Sequence, residues 1–195
     1  VVRNAGEAAS VHASLVAAQA LWGEGNTHPA ERQFAIDLAA AIKLKKDKDI
    51  AIFGSALGSG ARALVERLGA RISCYEWVPS MIARAAALNM KSSAGFLINA
   101  HHLAPEDGFP AGRQYNCIFS ILRLHQRADR NKLVNQLAAT LKPGGTLCLV
   151  SYLGGAEPIV PEVRAKSFAY AAPGPLWRPH PTCSSRLWPP DWKLA

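Results

Sequence analysis

Residues 49–64 read DIAIFGSALGSGARAL, and the fold is decided in this stretch. The apolar run IAIFG predicts a buried strand, which meets a glycine-rich turn. A helical pattern then runs from Gly60 to Leu68. A strand, a glycine turn and a helix in this order predict the first unit of a parallel α/β sheet.

The chain repeats this alternation up to about residue 153. Further apolar runs predict strands at 70–76, 95–100, 114–122 and 146–153. Helical patterns predict helices at 79–89 and 130–141. Strands alternating with helices favour right-handed βαβ units, so we expect a three-layer α/β fold with a mostly parallel sheet.

Two segments of different character flank the predicted core, residues 49–153. Residues 1–48 show two helical patterns separated by GEGNTHP, and they predict an N-terminal helical cap. Residues 154–195 are rich in proline and tryptophan, and proline cannot donate to a sheet ladder. We expect an irregular tail there, either a substrate lid or partner-binding arm or a loosely packed extension, and a sheet truncated after strand five.

Composition narrows the class of protein. Hydrophobic residues make up 49% of the chain and charged residues 18%, as in folded globular domains. No apolar run approaches the roughly 18 residues of a membrane helix, so no membrane span is expected. The four cysteines form no CxxC pair, so we expect no metal site and a reducing, cytoplasmic setting.

The net charge of +8 leaves two interpretations open, a polyanionic partner or a merely basic surface. The densest basic cluster, residues 43–48, has no neighbouring aromatic side chains that could stack on bases. Nucleic acid is therefore not the expected partner.

The glycine turn and the end of the second strand carry the chemistry of a nucleotide cofactor. Gly54 and Gly58 would let a ligand approach the backbone, because ligands bind at the carboxyl ends of parallel strands. Glu76 ends the second strand, where an acidic side chain holds ribose hydroxyls. The alternative is an ordinary exposed carboxylate. The spacing of Gly54, Gly58 and Gly60 does not fit the dinucleotide pattern G-x-G-x-x-G.

Over roughly residues 20–153 the order of motifs resembles that of class I S-adenosylmethionine (SAM)-dependent methyltransferases. That family shows D-x-G-x-G-x-G at the first turn, where this chain has IFGSALG, and YEWVPSMI, INAHH, YNCIFSILRLHQ and LKPGG follow in the family's order. LWGEG resembles the segment before the sheet in phosphoethanolamine-type N-methyltransferases. The resemblance implies a Rossmann-like methyltransferase fold, SAM as cofactor, and methyl transfer to a small-molecule acceptor.

The resemblance also implies where SAM would lie along the first two strands. Gly54, Ser55 and Gly58 would border its methionine part. Glu76 would hold the ribose hydroxyls, and Trp77 would pack on the adenine. LKPGG would be a turn without chemistry.

Further along the chain, the resemblance places Asn99 and Ala100 at the adenine edge and Ser120 on the floor near the sulfonium. No residue is assigned to catalysis, because methyl transfer mainly requires alignment of the reacting groups. His101, His102 and His125 are candidates for a general base, needed only if the acceptor must lose a proton. The alternative for each is an ordinary surface or helix-start histidine.

The chain departs from the family at four positions. Ile52 and Ala56 stand where the first motif has Asp and Gly, and Asn99 and Asn116 stand where acidic residues are usual. Losing a charge-assisted contact costs about 1.5–3 kcal/mol, so we expect weak SAM binding. These departures leave a second interpretation: an inactive methyltransferase-fold protein acting as a binding or assembly subunit. It would form a homo- or hetero-oligomer through the unfinished sheet edge.

Overall fold

Helices and strands follow one another in the order that the sequence predicts. The computed structural model describes residues 5–104, 106–121 and 129–150. Its elements are α1 (Ala5–Trp22), α2 (Glu31–Ala41), β1 (Asp49–Phe53), α3 (Ser59–Leu68), β2 (Arg71–Glu76), α4 (Pro79–Met90), β3 (Ile98–His102), β4 (Tyr115–Ile121), α5 (Arg130–Ala139) and β5 (Leu141–Val150).

The five strands form one parallel sheet in the order β3-β2-β1-β4-β5. β1 is central, and the order along the sheet changes direction between β1 and β4. The predicted α/β, Rossmann-like fold class is thereby confirmed. A change of strand order at the middle of a parallel sheet creates the crevice in which such folds bind ligands.

Each face of the sheet carries its own apolar core. Ile50 and Ile52 pack with α2 and α3 on one face, whereas Ala51 and Phe53 pack with α5 on the other. Side chains alternate between the faces along a strand, so a strand covered on both sides needs the continuous apolar run seen in β1. This arrangement gives the three layers expected from the sequence.

Two boundaries differ from the sequence-based expectation. Residues 95–97 form a single turn of 3-10 helix, so β3 begins only at Ile98. KPGG was expected to be a turn before the last strand, but it lies inside β5. The ladder passes from the pair Tyr115–Leu141 to the pair Cys117–Thr146, so residues 142–145 form an irregularity opposite β4. The left-handed backbone of Gly144, with φ +73°, permits this bulge.

The second helix before the sheet, α2, lies against α3, the first crossover helix. A Cβ atom on Gly60 would lie 3.2 Å from the Cβ of Ala35, so the missing side chain allows α2 to approach α3 closely. The division at residue 48 into cap and core stays a prediction. Residues 151–195, which hold the predicted tail, are outside the described residues, and among the described helices none is long and apolar enough to cross a membrane.

Candidate cofactor site

The carboxyl ends of the central strands bring several predicted site residues to one edge of the sheet. Phe53 pairs with Tyr75 on β2 and with Ser120 on β4. Gly54 and Glu76, which directly follow Phe53 and Tyr75 in the sequence, therefore lie at the same edge as Ser120. This is the edge at which open parallel sheets bind ligands.

The turn after β1 has an unusual backbone. Gly54, Ala56 and Gly58 have φ values of +74°, +48° and +75°. The N–H groups of Gly54 and Ser55 both donate to the carbonyl of Tyr75, at 2.7 and 3.3 Å. Glycine adopts positive φ freely, but alanine does so only at a cost. Ala56 is therefore the strained position of the turn.

Glu76 is buried at the end of β2, with 2% of its surface exposed. Its Oε2 accepts the N–H of Ala56 at 2.8 Å, and its Oε1 accepts the N–H groups of Trp77 and Val78 at 2.9 and 3.1 Å. A carboxylate offers about four lone-pair positions, so these three bonds leave room for one more donor such as a hydroxyl. The site thus fits a ribose-bearing ligand at this residue.

Ser120 has a buried hydroxyl whose hydrogen-bonding capacity is unused among the described residues. Its side chain is fully buried, and its Oγ has no hydrogen-bond partner in the part of the chain that the structure describes. An unsatisfied buried hydroxyl costs about 1–3 kcal/mol. A polar atom placed beside Ser120 would remove that cost.

Aromatic rings line the same end of the sheet. The ring of Trp77 is tilted against Phe53, with 5.6 Å between centroids. His101 stacks on Tyr75 with 5.0 Å between ring centroids. The hydroxyl of Tyr75 lies 2.6 Å from that of Tyr115, which is at the amino end of β4. Trp77 is half-buried beside Glu76, which suits a ring that packs on a flat base.

Among the candidate bases, His101 has surroundings that favour a neutral ring. Burial, followed by the charge of Arg113, lowers the pKa of His101, so its ring is neutral near pH 7. Its Nε2 is buried without a partner among the described residues. A neutral, unpaired ring nitrogen can accept a proton. His125 is outside the described residues.

Asn99 and Ala100 are not brought to this edge. Asn99 pairs with Ser73, whereas the partner of Glu76 is His102. Asn99 instead borders a cavity of about 100 Å³ that also contacts Asp49 and Arg71, at the start of β1 and β2. His102, a candidate base in the sequence, is therefore the residue of β3 at the same edge as Glu76.

The two departures in the first motif have different surroundings. Ile52 is 8% exposed and packs in the apolar core on the α2 and α3 face. We therefore expect its side chain to contact apolar neighbours and not a polar group of a ligand. Ala56 is buried in the turn itself and donates its N–H to Glu76. The first substitution enlarges the core, and the second places a methyl group in the turn.

The comparison with protein families identifies the chain. The family described as "Methyltransferase domain" matches residues 52–149, which is half of the sequence. This chain belongs to that methyltransferase family. The match begins at Ile52 and ends within β5, so it contains the whole edge described above. No curated protein matches the chain.

Solved methyltransferases share the fold. Phosphoethanolamine N-methyltransferase 2 of Haemonchus contortus, in complex with S-adenosyl-L-methionine, is 17% identical with a TM-score of 0.69, over 79% of this chain and 36% of that one. The CcbJ methyltransferase of Streptomyces caelestis is 19% identical with a TM-score of 0.56, over 68% of this chain and 54% of that one. This chain therefore spans between about a third and a half of these two proteins.

Proposed function

We propose that this methyltransferase-family chain binds SAM and transfers its methyl group to a small-molecule acceptor. One observation carries the proposal: the buried carboxylate of Glu76 lies at the end of β2 and is bonded to the glycine turn after β1. The family match and the SAM complex of the Haemonchus protein support the same cofactor.

The roles proposed for the binding residues are those that the family resemblance implies, and the position of Glu76 beside the turn supports them. The turn residues Gly54, Ser55 and Gly58 would border the methionine part of SAM. The remaining lone pair of Glu76 would accept a ribose hydroxyl, and Trp77 would pack on the adenine. Ser120 would place its hydroxyl near the reacting end. SAM supplies the activated methyl group, and these residues align it and exclude water.

The acceptor that we propose is a small molecule with a free lone pair. The Haemonchus protein is named for phosphoethanolamine, a small amine, and a neutral amine needs no base in order to accept a methyl group. For an acceptor that must lose a proton, we propose His101 as the base, because its Nε2 is buried without a partner among the described residues. Asn99 and Ala100 remain without a proposed contact, because of the register of β3.

The alternative, an inactive binding or assembly subunit, is favoured by one observation. Ile52 presents a hydrocarbon to the core where the family has a carboxylate. A protein of this kind would not turn over SAM and would assemble through a sheet edge such as β5. Turnover assays with candidate amines, combined with size-exclusion chromatography, separate the two: a monomer with turnover excludes the alternative.

Calorimetric titration tests SAM binding. Glu76→Gln should weaken SAM binding by one to two decades, because a charge-assisted hydrogen bond contributes about 1.5–3 kcal/mol. Glu66→Gln is the matched control, since Glu66 pairs with Arg32 on the surface, and its affinity should equal that of the wild type.

A comparison of two ligands tests the role of Glu76 in the wild-type protein. Adenosine should bind the wild-type protein more tightly than 2′-deoxyadenosine, because the deoxy compound lacks a hydroxyl for Glu76. Absence of heat and of thermal stabilisation at millimolar SAM would contradict the proposal.

A further inference from the structure

A buried arginine lies beside the glycine turn, on the helix that follows it. Arg62 of α3 is 7% exposed. Its Nη1 donates to the carbonyl of Leu57 at 2.8 Å and to Oδ1 of Asn89 at 3.1 Å, and its Nη2 donates to the carbonyl of Gly25 at 3.4 Å. One guanidinium thus connects the turn, the end of α4 and the loop between α1 and α2.

This arginine is buried at a cost that packing alone does not justify. Within the described residues no carboxylate forms an ion pair with Arg62. Burial, followed by the charge of Arg32, lowers its pKa, and the more distant charges of Glu31 and Glu66 offset this only in part. Burying a charge without a direct counter-ion is unfavourable, and an apolar side chain of similar volume would fill the space at a lower cost. What arginine adds there is its set of directed N–H donors.

Those donors bind the same turn as Glu76, at the adjacent residue. Glu76 accepts the N–H of Ala56, and Arg62 donates to the carbonyl of Leu57, the next residue. An anion and a cation therefore bind neighbouring groups of the same turn. Together they define the direction in which its peptide groups point.

We propose that Arg62 is a positioning residue for the cofactor: it holds the glycine turn, through Leu57, in the shape that receives the methionine half of SAM. The inference rests on the proposed SAM binding and deepens it. Because Arg62 also donates to Gly25, the α1–α2 loop, residues 23–30, is coupled to the shape of the turn.

The α1–α2 loop has other anchors, so it does not depend on Arg62 alone. Ser59 donates to Asn26, and the N–H and hydroxyl of Thr27 both donate to Glu31, at 2.8 and 3.0 Å. Variants of Arg62 are therefore expected to fold. The contact with Gly25 is nevertheless tight, since a Cβ on Gly25 would lie 2.5 Å from Nη2 of Arg62.

The test compares two ligands on one set of variants. S-adenosylhomocysteine carries the amino-acid part, and 5′-methylthioadenosine lacks it, while both carry the ribose that Glu76 would hold. Arg62→Met should weaken S-adenosylhomocysteine binding at least tenfold and 5′-methylthioadenosine binding less than threefold. Arg62→Lys should recover part of the loss, because it restores a donor. Arg67→Met, an exposed change on α3, should alter neither affinity.

Gly25→Ala displaces the guanidinium of Arg62 without removing it and should give the same selective loss, so it serves if Arg62→Met does not fold. Gly23→Ala controls for backbone strain, because Gly23 also has positive φ but does not face Arg62. Equal weakening of both ligands would indicate a merely structural role and overturn the inference, as would unchanged binding. A wild-type protein that binds neither ligand would overturn the proposed function itself, which is a distinguishable failure.

Discussion

The carboxylate of Glu76 accepts the backbone N–H of Ala56 at 2.8 Å and so joins the end of β2 to the turn after β1. The residue that donates this bond is also strained, because Ala56 has φ +48°. The bond and the strain lie in the same buried turn. Substitutions at Ala56 should therefore affect the stability of the fold, and those that break the bond to Glu76 should also affect ligand binding.

Ala56→Gly should stabilise the protein and should not weaken SAM binding. A non-glycine residue in the left-handed region is strained by about 1–2 kcal/mol, and glycine relieves this strain. Part of the gain in stability is offset because glycine is freer in the unfolded chain. We expect a net gain of up to about 1 kcal/mol, or roughly 2–4 °C in Tm for a chain of this size. Thermal unfolding measures it.

The control for this change is Ala86→Gly, at an exposed position of α4 with ordinary helical geometry. It should lower the stability by about 1 kcal/mol, because glycine is a poor helix former. Equal destabilisation by both substitutions would mean that Ala56 carries no strain.

Ile52→Asp should destabilise the protein rather than restore the family's motif. Ile52 is 8% exposed among apolar side chains, and an unpaired carboxylate there would lose its hydration. We expect a loss of more than about 3 kcal/mol in urea unfolding, compared with about 0.5–1.5 kcal/mol for the control Ile52→Val. An Asp variant as stable as the wild type, with tighter SAM binding, would show that this side chain can reach the cofactor.

Asn99→Ala should leave the affinity for SAM unchanged within about twofold. The family resemblance puts this residue at the adenine, but its strand position is opposite Ser73 and away from Glu76. Calorimetric titration of Asn99→Ala beside Glu76→Gln decides between the resemblance and the register. A tenfold loss with Asn99→Ala would mean that β3 is displaced when the cofactor binds.

The stability should fall at alkaline pH, with Cys74 as one cause. Burial raises the pKa of Cys74 from 9.0 to about 12. Above pH 9 the unfolded thiol loses its proton while the folded thiol keeps it, so the unfolded state is favoured progressively from pH 9 to 12. The contribution is on the order of 1 kcal/mol per pH unit.

Urea unfolding at pH 8 and pH 10 measures this effect. Cys74→Ala should lose less stability between the two pH values than the wild type does. Val65→Ala removes bulk from the same apolar core without removing a titrating group, so it should keep the wild-type pH dependence. If Cys74→Ala and the wild type have the same pH dependence, the thiol does not contribute.

The elements near the cofactor edge were predictable because their signals are local. The strand IAIFG, the glycine turn and Glu76 are recognisable within a short stretch, and the structure gives β1 and β2 nearly the predicted bounds. The role of Arg62 was not predictable, since an arginine on a helix is usually exposed. Only its contacts with Gly25 and Asn89, which are distant in the sequence, bury it.

The sequence by itself determined the alternation of strands and helices, the fold class and the family, because buried parallel strands require apolar runs and tight turns require glycine. The tertiary structure decided the register that separates Asn99 from Glu76 and the bulge at KPGG in β5. It also decided which charged groups bind the glycine turn. These features arise from pairing between distant segments, and a local pattern carries no information about such pairing.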